Sequence, residues 1–420
     1  MTMTMTRHDR RGVRGRLPAR RPLPAQDEIS AGRRRLVMLA LSVGAFGIGV
    51  TEFSAMGLLP YIAADFGRTE AESGAVISMY ALGVVVGAPL ITVVTGAVPR
   101  RRMLLLLMGA FTVGNAATVW AGTLGSFGAV MAARFIAGLP HGAYFSVSAL
   151  VAASLAEPGK RGKAVALSGM GLSVATVLGV PATQVLGHAL GWRAAFALVA
   201  AIGAAACTAL WFAVPHMTRM APTRPADELG ALATPQVWFT VAMGTVGFGG
   251  MFAVYTYITW TMTEVAGFPE HLMWLVLMAY GIGMIAGTWL GGVVSDRNNE
   301  WGILWSFVAI AAVLLAFHWT ALWAPAAILN FGLIGMFGST LVPSLQTRLM
   351  DVAGRAQTLA AALNQAALNM ANAGGAALGG AVIAAGFGYR APALAGVGLA
   401  VTAMVVWAVA HALRARAGAR

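Results

Sequence analysis

Ionised side chains are scarce in this sequence: Asp, Glu, Lys and Arg make up 10% of its 420 residues, against 58% hydrophobic residues and a mean hydropathy of +0.75. So little charge cannot coat a water-soluble globular surface, and the chain reads as a polytopic membrane protein. Cysteine is nearly absent. Cys207 stands alone, which excludes an intrachain disulfide, and no Cys/His cluster has metal-ligand spacing, so neither a metal nor a cofactor is expected. Also missing are a phosphate-binding loop, a pair of catalytic carboxylates and a soluble domain, so the chain is not expected to be an enzyme. Acids number 15 against 28 Lys and Arg. The excess does not mark a nucleic-acid binder, because the basic residues stand in short clusters between apolar runs.

Those runs are long enough to cross a bilayer. They fall near 36–58, 73–95, 103–122, 126–152, 164–187, 191–214, 236–262, 271–294, 302–320, 323–345, 357–383 and 391–412. Residues 1–35 carry ten arginines and read as a disordered tail. Twelve spans put both termini on one side. Of the 28 basic residues, 24 fall on that side, Arg68, Arg193 and Arg390 on the other, and Arg134 within the membrane, so both termini are expected in the cytoplasm. The longest internal hydrophilic connection, 215–235, divides the spans into two six-helix bundles, 36–214 and 236–412, with 413–420 as a second short tail.

A gapless shift of 200 residues relates the two bundles. Gly44, Gly47, Gly49, Gly67, Tyr80, Gly83 and Gly87 fall on Gly244, Gly247, Gly249, Gly267, Tyr280, Gly283 and Gly287, and Gly191 and Arg193 fall on Gly388 and Arg390 at an offset of 197. Two halves in the same orientation imply an axis along the membrane normal. The ionisable residues break the pattern. Glu52 falls on Phe252 and Arg134 falls beside Asn330, so charge at membrane depth belongs to the first half.

An arginine near the middle of a spanning helix costs about 2.5–3.5 kcal/mol or more, so Arg134 needs a partner, a water-filled cavity or a function. His141 lies two turns further along the same face. Glu52 and Arg134 both come out roughly 10–12 Å below the surface opposite the termini, where the two can meet. A carboxylate in an apolar cavity tends to be protonated and a nearby arginine favours its charged form, which suits Glu52, Arg134 and His141 to proton coupling. The plainer alternatives are a structural clamp for Arg134 and a satisfied interior histidine for His141.

Gly171, Ala175, Gly179, Thr183 and Gly187 recur at every fourth position around Pro181, a spacing that brings two helices close as a gate or simply for packing. The stretch GLSVATVLGVPATQVLG resembles the antiporter motif of the major facilitator superfamily, in its twelve-helix drug:proton antiporter branch. RFIAGLPHGAYF is similar to that family's conserved-arginine motif, and VTEFSAMGLLPYIAADFG to its motif in the first helix. These stretches look most like arabinose-efflux-type permeases, whose relatives export nucleosides or chloramphenicol. The resemblance covers about residues 36–412. It has one departure: the loop after the second span reads TGAVPRRR, with Gly96 and Ala97 where the family pattern has Asp and Arg. The second-half counterpart keeps Asp296 and Arg297, and a latch at this point would fall to that copy.

The resemblance implies the major facilitator fold, with a central cavity lined by Tyr255, Tyr257, Trp260, Asn330, Asn364, Gln365, Asn369 and Asn372. Interhelical amide bonding and an interfacial aromatic belt are the alternatives for these residues. The function implied is proton-coupled export of a small organic molecule, sugar-like or drug-like, across the bacterial inner membrane by alternating access. An uncoupled facilitator or a non-transporting sensor of the same fold is the alternative. The expected partners are that small molecule, protons and the lipid bilayer, with the chain acting as a monomer and without nucleic acid.

Overall fold

A computed structural model describes residues 29–95, 98–157, 161–216, 230–353 and 356–418, without the side chains of 161–163, 231, 296, 357, 358, 417 and 418. Most of the tail and of the 215–235 connection, the Gly96–Ala97 pair and the Asp296 side chain therefore lie outside the described residues.

Among the described residues, twelve helices are long and apolar enough to cross a membrane: α1 Ala31–Gly57, α2 Glu70–Val94, α3 Arg100–Thr123, α4 Phe127–Leu155, α5 Ala164–Leu190, α6 Trp192–Ala213, α7 Pro235–Thr256, α8 Glu270–Ser295, α9 Arg297–Thr320, α10 Ala324–Ala353, α11 Leu359–Phe387 and α12 Ala391–Arg416. No β-strand occurs among the described residues. Polar side chains start several of the helices. Ser30 and Ser126 accept from the N–H groups of Arg33 and Ala129, and Thr69 with Glu72 forms a reciprocal capping box. Glycines in the left-handed region turn the chain between spans, and they recur with the sequence repeat: Gly67 and Gly267 at φ 58° and 63°, Gly191 and Gly388 at φ 86° and 78°.

The duplication extends to packing. Helices α1–α6 gather as one bundle and α7–α12 as another, with α2 on α4 matched by α8 on α10, and α1 on α5 by α7 on α11. Lipid tails give helices no hydrophobic reason to associate, so close backbone approach must hold them together. A β-carbon at Gly83 would collide with the Phe135 carbonyl on α4, and one at Gly283 with the Gly332 carbonyl on α10. Gly87 against Leu139 and Gly287 against Met336 repeat the arrangement one turn further on. Phe111 fills the space beside Gly47, and Phe307 the space beside Gly247.

The bundles meet along two seams, α2 with α11 and α5 with α8. On α5 the seam has a local cause. Pro181 has no N–H to close the preceding turn, and residues Ala175–Gly179 widen into a π-turn. Gly281 of α8 packs against the Thr176 and Val177 backbone there.

Candidate functional site

Arg134 is wholly buried in α4. Its guanidinium donates to Thr51 Oγ1 at 2.9 Å and to the Thr51 carbonyl at 3.2 Å, and lies 4.3 Å from the Tyr80 ring centroid and 5.0 Å from that of Phe196. Thr51 in turn donates to Asn115 Oδ1 at 2.6 Å. Arginine suits this place because its flat cation both forks onto oxygens and stacks on rings. The packing repeat puts Phe331, the neighbour of Asn330, opposite Arg134. There Tyr280 and Phe331 lie with ring centroids 4.7 Å apart, so an aromatic pair replaces an arginine–tyrosine pair.

Glu52 is 8% exposed and is the one carboxylate among the buried described residues. Depth alone led to the expectation that it would meet Arg134, yet no ion pair within 4.0 Å joins them. Successive residues on a helix point about 100° apart, so Thr51 faces α4 and Glu52 turns toward the opposite bundle. There the Asn372 carboxamide of α11 lies beside the carboxylate without a well-formed hydrogen bond. The nearest basic atom is His141 Nε2, 3.9 Å from Glu52 Oε2, while His141 Nδ1 is 3.0 Å from the Tyr80 hydroxyl. When Tyr80 donates to Nδ1, Nε2 carries the proton and faces the acid. Tyr80 thus touches both basic residues. Sequence reasoning used Tyr80 only as a repeat marker and overlooked Thr51 and Asn115; an amide isolated in the apolar run of α3 was the available signal.

The other residues singled out from the sequence separate into groups. Tyr255 joins an aromatic cluster that reaches from α7 to α1 of the other bundle, its ring 4.4 Å from Tyr280, 5.5 Å from Phe331 and 5.6 Å from Phe53, the residue after Glu52. Asn369 donates to the Gln365 carbonyl at 3.1 Å and leaves its own oxygen unpartnered, as Asn372 leaves both its polar atoms. Gln365 packs beside Gly142, next to His141, and Asn364 is buried on the same helix. Tyr257, Trp260 and Asn330 are engaged elsewhere. Tyr257 donates to the Ala376 carbonyl at 2.9 Å and lies with its ring 6.0 Å from that of Trp260, beyond the aromatic cluster, and Asn330 contacts Thr320 of α9 at 3.0 Å.

Gly171, Gly179 and Gly187 seat α5 on α1, against the Ser42 backbone, Val50 and Leu58 respectively. Pro181 is buried just after the π-turn. On the side away from the termini, contacts close the gap between the bundles. Tyr389 donates to Glu70 Oε1 at 2.8 Å, Tyr61 faces Glu270, and Ser78 donates to the Ala373 carbonyl at 3.2 Å. Glu70 and Glu270 are 200 residues apart, so each bundle gives the other the same acid. Burial and the Glu70 carboxylate push the Tyr389 phenol up to about 12, which keeps it a donor at ordinary pH. On the terminus side Arg297 is exposed. The pair engaged there is Arg348 with Glu300, which His411 and Arg414 also approach, at 3.2 and 3.4 Å.

Comparison with known proteins identifies this arrangement. A family model described as Major Facilitator Superfamily matches residues 41–359. The inner membrane transport protein YdhP of Escherichia coli K12 is 37% identical over 84% of this chain and 90% of its own length. The putative transporter AraJ of the same strain is 34% identical, covering 88% and 93%, and the chloramphenicol resistance protein of Streptomyces lividans is 34% identical, covering 79% and 85%. Among solved structures, an inward-facing, unoccupied bacterial homologue of the human lysosomal transporter Spinster superposes with a TM-score of 0.67 at 17% identity, over 91% of this chain and 98% of that one. The duplicated bundles, the seams between them and the sequence relationship lead to one conclusion: this chain belongs to the Major Facilitator Superfamily, as a membrane transporter.

Proposed function

We propose that the protein exports a small organic molecule, drug-like or sugar-like, from the bacterial cytoplasm across the inner membrane, in exchange for protons, with both termini in the cytoplasm. The observation that carries the coupling is the position of Glu52, buried on α1, 3.9 Å from His141 and beside Asn372 of the opposite bundle. A carboxylate between two bodies that rock against each other changes neighbours and solvent access as they move, which is what loading and releasing a proton requires. His141, with Tyr80 behind it, is the group able to pass that proton along α4. Arg134 fixes α4 to α1 and supplies a constant positive field. Asn369 and Asn372, with unpartnered polar atoms, and the Tyr255–Tyr280–Phe331 rings are the surfaces for an uncharged polar or aromatic substrate.

The efflux direction is supported by the name of one relative, a chloramphenicol resistance protein, and the inner-membrane location by that of another, an inner membrane transport protein. Cytoplasmic termini are supported by the basic residues crowding the terminus side. The test is uphill export in proteoliposomes with an imposed pH gradient, after a compound panel in an efflux-deficient host has identified a substrate. Glu52→Gln should abolish accumulation against a gradient and leave downhill exchange largely intact. If Glu52→Gln still accumulates substrate, Glu52 is not the coupling group and an uncoupled facilitator becomes the better reading.

A further inference from the structure

The outer surface of α5 is marked by Met170, Val174, Leu178 and Val185, between 38% and 61% exposed and three to four residues, or twice that, apart. The stripe continues past the π-turn, where the bundles are in contact, so it faces lipid and not the seam. At its terminus-side end it borders a cavity of about 440 Å³ between α1 and α5, whose walls include Arg34, Arg35, Met38, Leu39, Leu167 and Met170. Leu39 is 61% exposed here. Arg34 donates to Glu157 Oε1 at 3.2 Å and to the Ile29 carbonyl at 3.4 Å, and its buried Nε has no partner. The Arg35 side chain makes no hydrogen bond or ion pair among the described residues. The cavity thus has a basic rim, only partly neutralised by Glu157, above an apolar wall continuous with the lipid-facing side of α5.

We propose that this cavity binds one anionic phospholipid, its phosphodiester on Arg35, with Arg34 adding positive charge at the rim, and an acyl chain along Leu39, Leu167 and Met170. A guanidinium fork matches two phosphate oxygens. A net negative headgroup is favoured over a zwitterionic one because Arg33 adds a further exposed charge at the same helix end. Ser42, whose backbone meets Gly171, also lines the cavity, so the lipid sits at the open end of the α1–α5 seam.

Native mass spectrometry of the full chain released from nanodiscs of mixed phosphatidylglycerol and phosphatidylcholine tests this. The wild-type protein should retain one phosphatidylglycerol in preference to phosphatidylcholine. Arg35→Gln should lower that retention about fivefold, the effect of one basic residue at an anionic surface. Met170→Trp, which fills the cavity without altering its charge, should lower it as well, and Arg102→Gln, an exposed arginine on the same side, should not. Thermal unfolding of each variant confirms that it is folded. Equal retention of the two lipids overturns the proposal, as does loss in Arg102→Gln equal to that in Arg35→Gln, or full retention in both Arg35→Gln and Met170→Trp.

Discussion

Arg134 was conspicuous in the sequence because an arginine in an apolar run stands out against its neighbours; its partners were not. Thr51 and Tyr80 are ordinary residues of a spanning helix, and the 100° between Thr51 and Glu52 decides which of them the guanidinium meets. Two bonds to Thr51 and two ring faces make Arg134 a clamp between α1 and α4. Arg134→Ala is therefore expected to cost about 2 kcal/mol or more of stability, seen as a lower melting temperature in detergent. Arg134→Lys keeps the charge but loses the fork and the stacking, and should fall between Ala and wild type. An unchanged melting temperature in Arg134→Ala would remove the clamp. The amide stripe of α11 was legible because Gln365, Asn369 and Asn372 share a face. Asn330 was not, since its use depends on α9 ending beside it at Thr320, a tertiary fact with no local signature.

Helices were the easiest level to read, since apolar length alone locates them, and even the three-residue connection between α9 and α10 was expected to be short. The internal repeat was legible because glycines at helix contacts tolerate few substitutions of shape: Gly87 and Gly287 each press on a backbone carbonyl of a neighbouring helix. Valine at either position should be comparably destabilising, by about 1–3 kcal/mol, whereas Gly109→Val, with open space around its β-carbon, should be nearly neutral. Thermal unfolding of the three variants makes the comparison, and a large difference between Gly87→Val and Gly287→Val would mean the duplicated contacts do not bear equal load. The π-turn in α5 could not be read so easily. Pro181 predicts a distortion, but its form depends on Gly281 arriving from the other bundle.

At the scale of the whole molecule, the contacts away from the termini hold that side closed. Removing the hydroxyl that joins α2 to the α11–α12 turn, in Tyr389→Phe, should loosen it. A cysteine at Ser78, about 12 Å deeper along α2, in a Cys207→Ser background should then react several-fold faster with an impermeant thiol reagent added outside cells. No change in rate would show that Glu70 and Tyr389 do not restrain opening. The same background tests orientation: single cysteines at Arg20 and Arg219, both outside the described residues, should stay unlabelled in intact cells. Phe252 at the position that repeats Glu52 has a thermodynamic corollary as well. Under the proposed coupling, with Glu52 as the exchanging group and a hydrophobic ring in its duplicate place, one turnover would move one proton. For an uncharged substrate, each 100 mV of driving force then supplies about 2.3 kcal/mol, enough to sustain roughly a fifty-fold concentration ratio and no more.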